Sequence, residues 1–265
     1  MSKEAFKTEY FKNQLHATWV GSEFIYMESV DSTNTALKRI PPSELIHGTV
    51  LLTDHQTKGR GQYEKKWEAE PAKNLTFTIA FRPPAGERLT LLTLASAHAI
   101  RSVLEEKTGK KTEIKWPNDL LIDGKKVGGL LTEGIFNGQK LDRVLIGVGL
   151  NVLQTQFSTE IEDMATSMKK ITGQNYSREK LLSELLQSIE VAYHKWHKQD
   201  AGLCREISEH MIGYGEWVQL TIGNKHENGK YKFLGVNEKG ELLALNEDLD
   251  VKTFTYEQIR IIVGS

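Results

Sequence analysis

Leu75, Phe77, Ile79 and Phe81 alternate with Thr76, Thr78 and Ala80, the period of two that places apolar side chains on one face of a half-buried strand. Glu23 to Val30 and Thr49 to Thr53 read as shorter strands. Between them, Asp31-Ser32-Thr33-Asn34 is a polar turn suited to cap a helix that begins near Thr35 and that Pro41-Pro42 stops. Leu89, Leu92, Ala95, Ala99, Ile100, Val103 and Leu104 recur at helical spacing as far as Gly109, a residue that suits a C-cap. Ile114 to Trp116, Leu120 to Ile122, Val127 to Glu133 and Arg143 to Val152 then read as strands. Asp123-Gly124 and Asn137-Gly138 mark turns between them, so this block is antiparallel. Ser177 can cap a helix through Trp196, with Leu182, Leu185, Leu186, Ile189, Tyr193 and Trp196 on one face.

After Ile212 the texture changes. Val218, Leu220 and Ile222 alternate with polar residues, and Gly223, Gly229, Gly235 and Gly240 punctuate runs that end in Ile259 to Val263. The pattern predicts an α+β chain with a main domain over 1–212 and a small β-barrel domain over 213–265. Its 265 residues suffice for a core that stands without staples, and 39% hydrophobic with 26% charged residues is an ordinary globular balance. Lys and Arg number 34 against 35 Asp and Glu, so the net charge of −1 supplies no global field for nucleic acid. Cys204 is the only cysteine, which excludes an intramolecular disulfide and a thiolate cluster and fits the reducing cytoplasm. Met1 to Gly21 breaks its apolar residues with charges, unlike a signal peptide, and no window approaches a membrane span.

Three segments concentrate glycine with charged or amide side chains. In Gln56-Thr57-Lys58-Gly59-Arg60-Gly61-Gln62, which leads to Trp67, glycines permit close approach to an anion, Arg60 offers a forked guanidinium, and Trp67 offers a stacking face. A solvated loop whose glycines only turn the chain has the same composition; a P-loop is excluded by spacing. From His55 to Trp67 the chain lacks either periodicity, so it should be mobile until a ligand orders it. In Lys115-Trp116-Pro117-Asn118-Asp119, Pro117 places Asn118 and Asp119 at a strand-ending kink, and the Asp123-Gly124 turn brings Lys126 back toward Asp119. That pair suits a negatively charged reacting group, or is a surface salt bridge of small energetic weight. In Gly147-Val148-Gly149-Leu150-Asn151, alternating glycines imply that something approaches the backbone, and Asn151 can present its amide to it.

In this order, Ser29 to Asn34, the Gly59-Arg60-Gly61 loop with Trp67, Lys115 to Asp119, Lys126-Val127-Gly128-Gly129 and Gly147 to Asn151 resemble the biotin protein ligases. The resemblance implies a biotin–lipoate ligase fold related to class II synthetases: a mixed, largely antiparallel sheet with flanking helices and a C-terminal SH3-like barrel. It also implies activation of biotin with ATP and Mg2+ to biotinyl-5′-AMP, then transfer to one lysine of a biotin carboxyl carrier domain. By similarity, Ser32, Thr33, Asn34, Gln56 and Arg60 border the biotin head group, with Gly128 and Gly129 as a wall and Lys126 at the carboxylate. Gly59, Gly61, Gln62, Trp67, Asn118 and Asn151 fall to the nucleotide, and Lys126, Arg60 and Asp119 to catalysis, with the Mg2+ ligands unassigned.

The chain departs from that pattern at Gln62, where relatives often carry a second arginine, and at Tyr63 and Glu64, where they carry more glycine and arginine. A neutral amide pairs less well with phosphate, which bears on retention of the intermediate. Only 28 residues precede Ser29, short for the DNA-binding winged helix of many bacterial relatives, so a stand-alone ligase without nucleic-acid or membrane partners is expected. A lipoate or octanoate ligase is the competing enzyme, and a binding module built on the terminal barrel the competing non-enzyme. His194 and His197 stand one helical turn apart, as zinc ligands can, but no third ligand accompanies them. An exposed sheet edge could receive the carrier or form a homodimer.

Overall fold

Nineteen elements form in a computed structural model that describes residues 5–62, 66–83, 88–222, 225–226, 229–255 and 259–262. The first part of the chain supplies α1 (Thr8–Gln14), β1 (Phe24–Val30), α2 (Thr33–Arg39), β2 (Thr49–Gln56), β3 (Leu75–Phe81), α3 (Leu89–Thr108), β4 (Thr112–Lys115), β5 (Asp119–Ile122), β6 (Lys125–Asn137) and β7 (Lys140–Leu150). Then come α4 (Met168–Thr172), α5 (Arg178–His197), α6 (Leu203–Ser208), β8 (Trp217–Ile222), β9 (Lys225–His226), β10 (Tyr231–Val236), β11 (Leu242–Leu245), β12 (Val251–Phe254) and β13 (Ile259–Ile262). Tyr63, Glu64, Gly223 and Val263, all singled out in the sequence, lie outside the described residues.

The first seven strands make one sheet in the order β1-β2-β3-β7-β6-β5-β4, parallel only between β1 and β2. Strand β3 is buried along its whole length instead of on one face. Leu75, Phe77, Ile79 and Phe81 enter the main core with α3 and α5, while Ala80 packs with Ala36 and Leu37 of α2 and Thr78 hydrogen-bonds to Thr33 and Asn34. A short helix on the second face therefore turned an expected half-buried strand into a fully covered one. That helix begins at Thr33, two residues before Thr35, and the Ser32 side chain makes no capping bond. Asp31 Oδ1 instead accepts from Ser32 N at 2.8 Å, so Thr33 and Asn34 sit in the first turn, both buried.

The other local signals are met. Gly109 ends α3 at φ +65° and donates its N–H to Glu105 O, and Ser177 Oγ accepts from Lys180 N at the start of α5. The second sheet is antiparallel throughout and runs β12-β11-β10-β8-β13, with β9 beside β8. It is tied to the first by the Trp116 indole, which donates to Gly240 O at 3.2 Å. Cys204 is half-buried. His194 accepts from the Trp19 indole at 3.2 Å and His197 stacks on Tyr193. Among the described residues no three His, Cys, Asp or Glu side chains group to hold a metal ion, and no helix is long and apolar enough to cross a membrane.

Candidate active site

A cleft of about 560 Å³ opens where α2 starts, β2 ends and the β4–β5 hairpin meets the middle of β6 and β7. Of the residues singled out in the sequence, Ser32, Thr33, Asn34, Gln56, Arg60, Gly61, Gln62, Trp67, Asn118, Asp119, Lys126, Gly129 and Asn151 line it. Gly59 and Gly128 do not. Gly59 is folded against its own loop: its carbonyl accepts from Trp67 N, and a Cβ there would lie 2.7 Å from Trp67 O. Gly128 faces the core, where a Cβ would meet Leu150 and Leu120 methyl groups. Successive strand residues point to opposite faces, so only one of the two glycines 128 and 129 can look into the cleft.

Lys126 shares the cleft face with Gly129 because of a local irregularity. Pairing runs Asp119↔Gly129 and Leu120↔Gly128, then shifts to Leu121↔Lys126, leaving Val127 as an extra residue directed into the core. Such a bulge re-aims the side chains that follow it. The turn between β5 and β6 sets Lys126 opposite Leu121, on the face of Asp119, and the Lys126 ammonium meets the Asp119 carboxylate at 2.5 Å, with the side chains 37% and 28% exposed. Asp119 is the first residue of β5, not part of a kink that ends a strand, because Pro117 occupies a turn tight enough for Lys115 to pair with Asp119. The Lys126 backbone is held from the far side: its N–H donates to Met164 O at 2.7 Å and its carbonyl accepts from Thr166 N at 2.9 Å.

The glycines of β7 admit the protein's own side chains. A Cβ on Gly147 would lie 2.4 Å from Asn34 Oδ1, and one on Gly149 would lie 2.4 Å from the Trp67 ring. That ring also stands 5.8 Å from Lys126 Nζ, within cation–π range, and its Nε1 is buried without a hydrogen-bond partner among the described residues. Asn151 donates Nδ2 to Thr166 O at 3.0 Å while its Oδ1 is likewise buried and unpartnered. Asn118 Nδ2 donates to Leu130 O at 2.6 Å, so this amide braces β6.

At the other end of the cleft the polar groups interlock. Gln56 Oε1 accepts from Thr33 N at 2.8 Å, Asn34 Nδ2 donates to Glu133 Oε2 at 2.7 Å, and Arg60 donates to Thr35 Oγ1 at 3.1 Å with Glu133 Oε1 3.7 Å away. The Ser32 N–H, with Arg39 adding to it, holds the Asp31 carboxyl below its ordinary range against the opposing pull of burial. Hydrogen bonds from Lys66 and Ser158 do the same for Glu68, which ties the loop after Trp67 to the segment following β7.

Sequence reasoning missed Thr78 and Glu133, as well as Phe157, Ile161 and Met164 of that segment, all but Thr78 and Glu133 lining the cleft. Glu133 carried a signal, an acid inside an apolar strand; the segment from 157 to 165 has no periodicity to find.

Comparison with known proteins shows which family the chain resembles. The model of the biotin/lipoate A/B protein ligase family matches residues 26–151. The biotin–[acetyl-CoA-carboxylase] ligase of Paracoccus denitrificans is 31% identical over 80% of this chain and 90% of that relative. The bifunctional ligase/repressor BirA of Bacillus subtilis is 30% identical over 84% of this chain and 70% of its own length. A solved structure of the biotin protein ligase from Aquifex aeolicus in complex with biotin and ATP superposes with a TM-score of 0.79 at 31% identity, covering 92% of this chain and all of that one. The chain belongs to the biotin/lipoate A/B protein ligase family.

Proposed function

We propose that this protein activates biotin with ATP to biotinyl-5′-AMP and transfers the biotinyl group to a lysine of a biotin carboxyl carrier domain. The observation that carries the reading is the Lys126 ammonium, set on the face of a glycine-walled cleft and steadied by Asp119. In the first step the biotin carboxylate oxygen bonds to the α-phosphorus of ATP and pyrophosphate leaves. Two anions must approach, so cations aimed at the phosphoryl oxygens lower the barrier. Lys126 is assigned that task, and Arg60, from the other end of the same cleft, shares the charge. Ser32, Thr33, Asn34 and Gln56 take the polar head group, and Gly129 leaves room for the chain behind it. Trp67, Gln62, Gly61, Asn118 and Asn151 take the nucleotide, for which the unpartnered Asn151 Oδ1 is a waiting acceptor. In the second step the carrier's lysine amine attacks the acyl carbon and AMP departs.

The donor set suits a Mg2+ that arrives with the nucleotide, since Asp119 is one carboxylate on the cleft and magnesium is commonly held by one or two carboxylates plus phosphates. Asp119 would hold it, and the ion would neutralise charge on the phosphates. The carrier belongs to a biotin-dependent carboxylase, as the names of relatives suggest, in the reducing compartment that a lone half-buried Cys204 favours. Segment 210–212 bonds along β4, so β1 is the edge available for the carrier or for a second copy of this chain among the described residues. The test is pyrophosphate release with biotin, lipoate or octanoate, followed by mass measurement of a carrier fragment. Release with biotin and one biotinyl mass added is the expected result; release with lipoate or octanoate alone would overturn the substrate.

A further inference from the structure

Among the described residues four cationic side chains line the cleft, and three of them already face a carboxylate: Lys126 meets Asp119 at 2.5 Å, Lys66 meets Glu68 at 3.2 Å, and Arg60 stands 3.7 Å from Glu133. Lys115 is the fourth. It is exposed, and its ammonium has neither an ion pair nor a hydrogen bond among the described residues. A neutralised cation draws an anion weakly, so the uncompensated positive charge among these four belongs to Lys115. The sheet fixes its place. Ile114 and Trp116, on either side of it, are buried in the main core, and the Lys115 carbonyl accepts from Asn118 N at 3.2 Å. Alternation along β4 then turns Lys115 to the cleft. Directly opposed residues of neighbouring strands carry their side chains on one face, and the pairs Lys115↔Asp119, Asp119↔Gly129 and Gly129↔Gly149 make one row from β4 to β7, all of it lining the cleft. Lys126 lies in the next row and reaches back to Asp119. Two lysines therefore flank one carboxylate, Lys126 from β6 and Lys115 from β4.

We propose that Lys115 is a further catalytic residue of the first step, one that holds the β- and γ-phosphates of ATP and stabilises the pyrophosphate that leaves. The proposal rests on the reading of the cleft as the place where an acid is joined to AMP, and it assigns the end of the triphosphate that reading left without a partner. With the α-phosphate at Lys126, the remaining phosphates run over Asp119 toward β4. When the carboxylate oxygen bonds to the α-phosphorus, the bond from that phosphorus to the bridging oxygen breaks, and its electron pair departs with pyrophosphate. A cation on that side meets the charge as it grows. In the second step no pyrophosphate is present, and Lys115 has no part in it.

The experiment uses the full chain and separates the two steps. Pyrophosphate release is followed against ATP at saturating biotin, with and without added pyrophosphate; AMP affinity is measured by calorimetry; and transfer to a carrier fragment is started from supplied biotinyl-5′-AMP. Lys115→Met removes the charge and Lys115→Arg keeps it. Lys125→Met removes a charge beside Lys126 that does not line the cleft. In Lys115→Met, kcat/KM for ATP should fall at least about ten-fold and inhibition by pyrophosphate should weaken by about as much, as for loss of a charge-assisted contact. Affinity for AMP and transfer from supplied biotinyl-5′-AMP should stay within about three-fold, Lys115→Arg should recover most of the loss, and Lys125→Met should stay within about three-fold throughout, as for an exposed charge. Unchanged ATP kinetics and pyrophosphate inhibition in Lys115→Met overturn the proposal. So does an equal loss of AMP affinity or of transfer, which would put Lys115 at the nucleotide or the carrier, and so does a Lys125→Met effect of the same size. A parent protein that releases no pyrophosphate with biotin, lipoate or octanoate removes the proposed function itself, a result that the variants cannot mimic.

Discussion

Two carboxylate–cation pairs in this protein have the same 2.5 Å contact and opposite surroundings. Asp54 and Arg178 are 6% and 5% exposed, and the carboxylate is fully engaged: Oδ1 by Arg178, Oδ2 by the Tyr26 hydroxyl at 2.7 Å and the Phe6 N–H at 3.2 Å. Burial, with Asp54 as hydrogen-bond partner next, pushes the Tyr26 hydroxyl up to about 12. Asp119 and Lys126 face the cleft, with about a third of each side chain open. Contact length does not distinguish architecture from chemistry here. Saturation does, because a group whose lone pairs and protons are all taken has nothing left for a ligand.

The contrast can be broken most forcefully at the closed pair. Arg178→Met leaves the Asp54 charge buried, and urea unfolding should show a loss of about 3–5 kcal/mol, with pyrophosphate release per folded molecule within two-fold of the parent. Lys126→Ala should do the reverse. Stability should move by less than about 1 kcal/mol, as for an exposed pair, while adenylate formation falls on the order of 100-fold; a loss of only a few-fold would contradict its assigned task.

A third carboxylate sharpens the point. Burial would raise Glu190, but N–H groups of Val20, Trp19 and Thr18 with the Thr18 hydroxyl outweigh it and hold the carboxyl below its ordinary range. A depressed carboxyl adds stability above its unfolded value and loses it as pH falls through the folded value. Glu190→Gln should therefore cost about 1–3 kcal/mol at pH 7, and the gap to the parent should close in unfolding curves taken in strong acid. The smallest effect belongs to the open side. Gln62→Arg adds a cation to the cleft, and the off-rate of biotinyl-adenylate should slow several-fold in a filter or stopped-flow measurement; an unchanged rate removes Gln62 from the site.

Much of this was readable along the chain. The Asp123-Gly124 turn was enough to bring Lys126 to Asp119, and the helices α3 and α5 follow from their apolar stripes and caps. The facing of Gly128 was not readable, because it depends on one extra residue at Val127, and a bulge leaves no mark in a pattern of apolar residues. The burial of Thr78 and Ala80 depends on α2 packing from elsewhere in the chain, which alternation within one strand cannot report. Glycines 147 and 149 were rightly read as points of close approach. That Asn34 and Trp67 make the approach is a fact of tertiary structure.

The Trp67 indole resting over Gly149 has a thermodynamic consequence. Any flat ring that settles there must first evict an aromatic surface that is already partly dry, so association is an exchange of occupants. Dehydrating apolar surface is what makes the heat capacity of complex formation negative. The measured change for a planar ligand should accordingly be smaller than its own contact area suggests, and replacing Trp67 by a small side chain should make it larger.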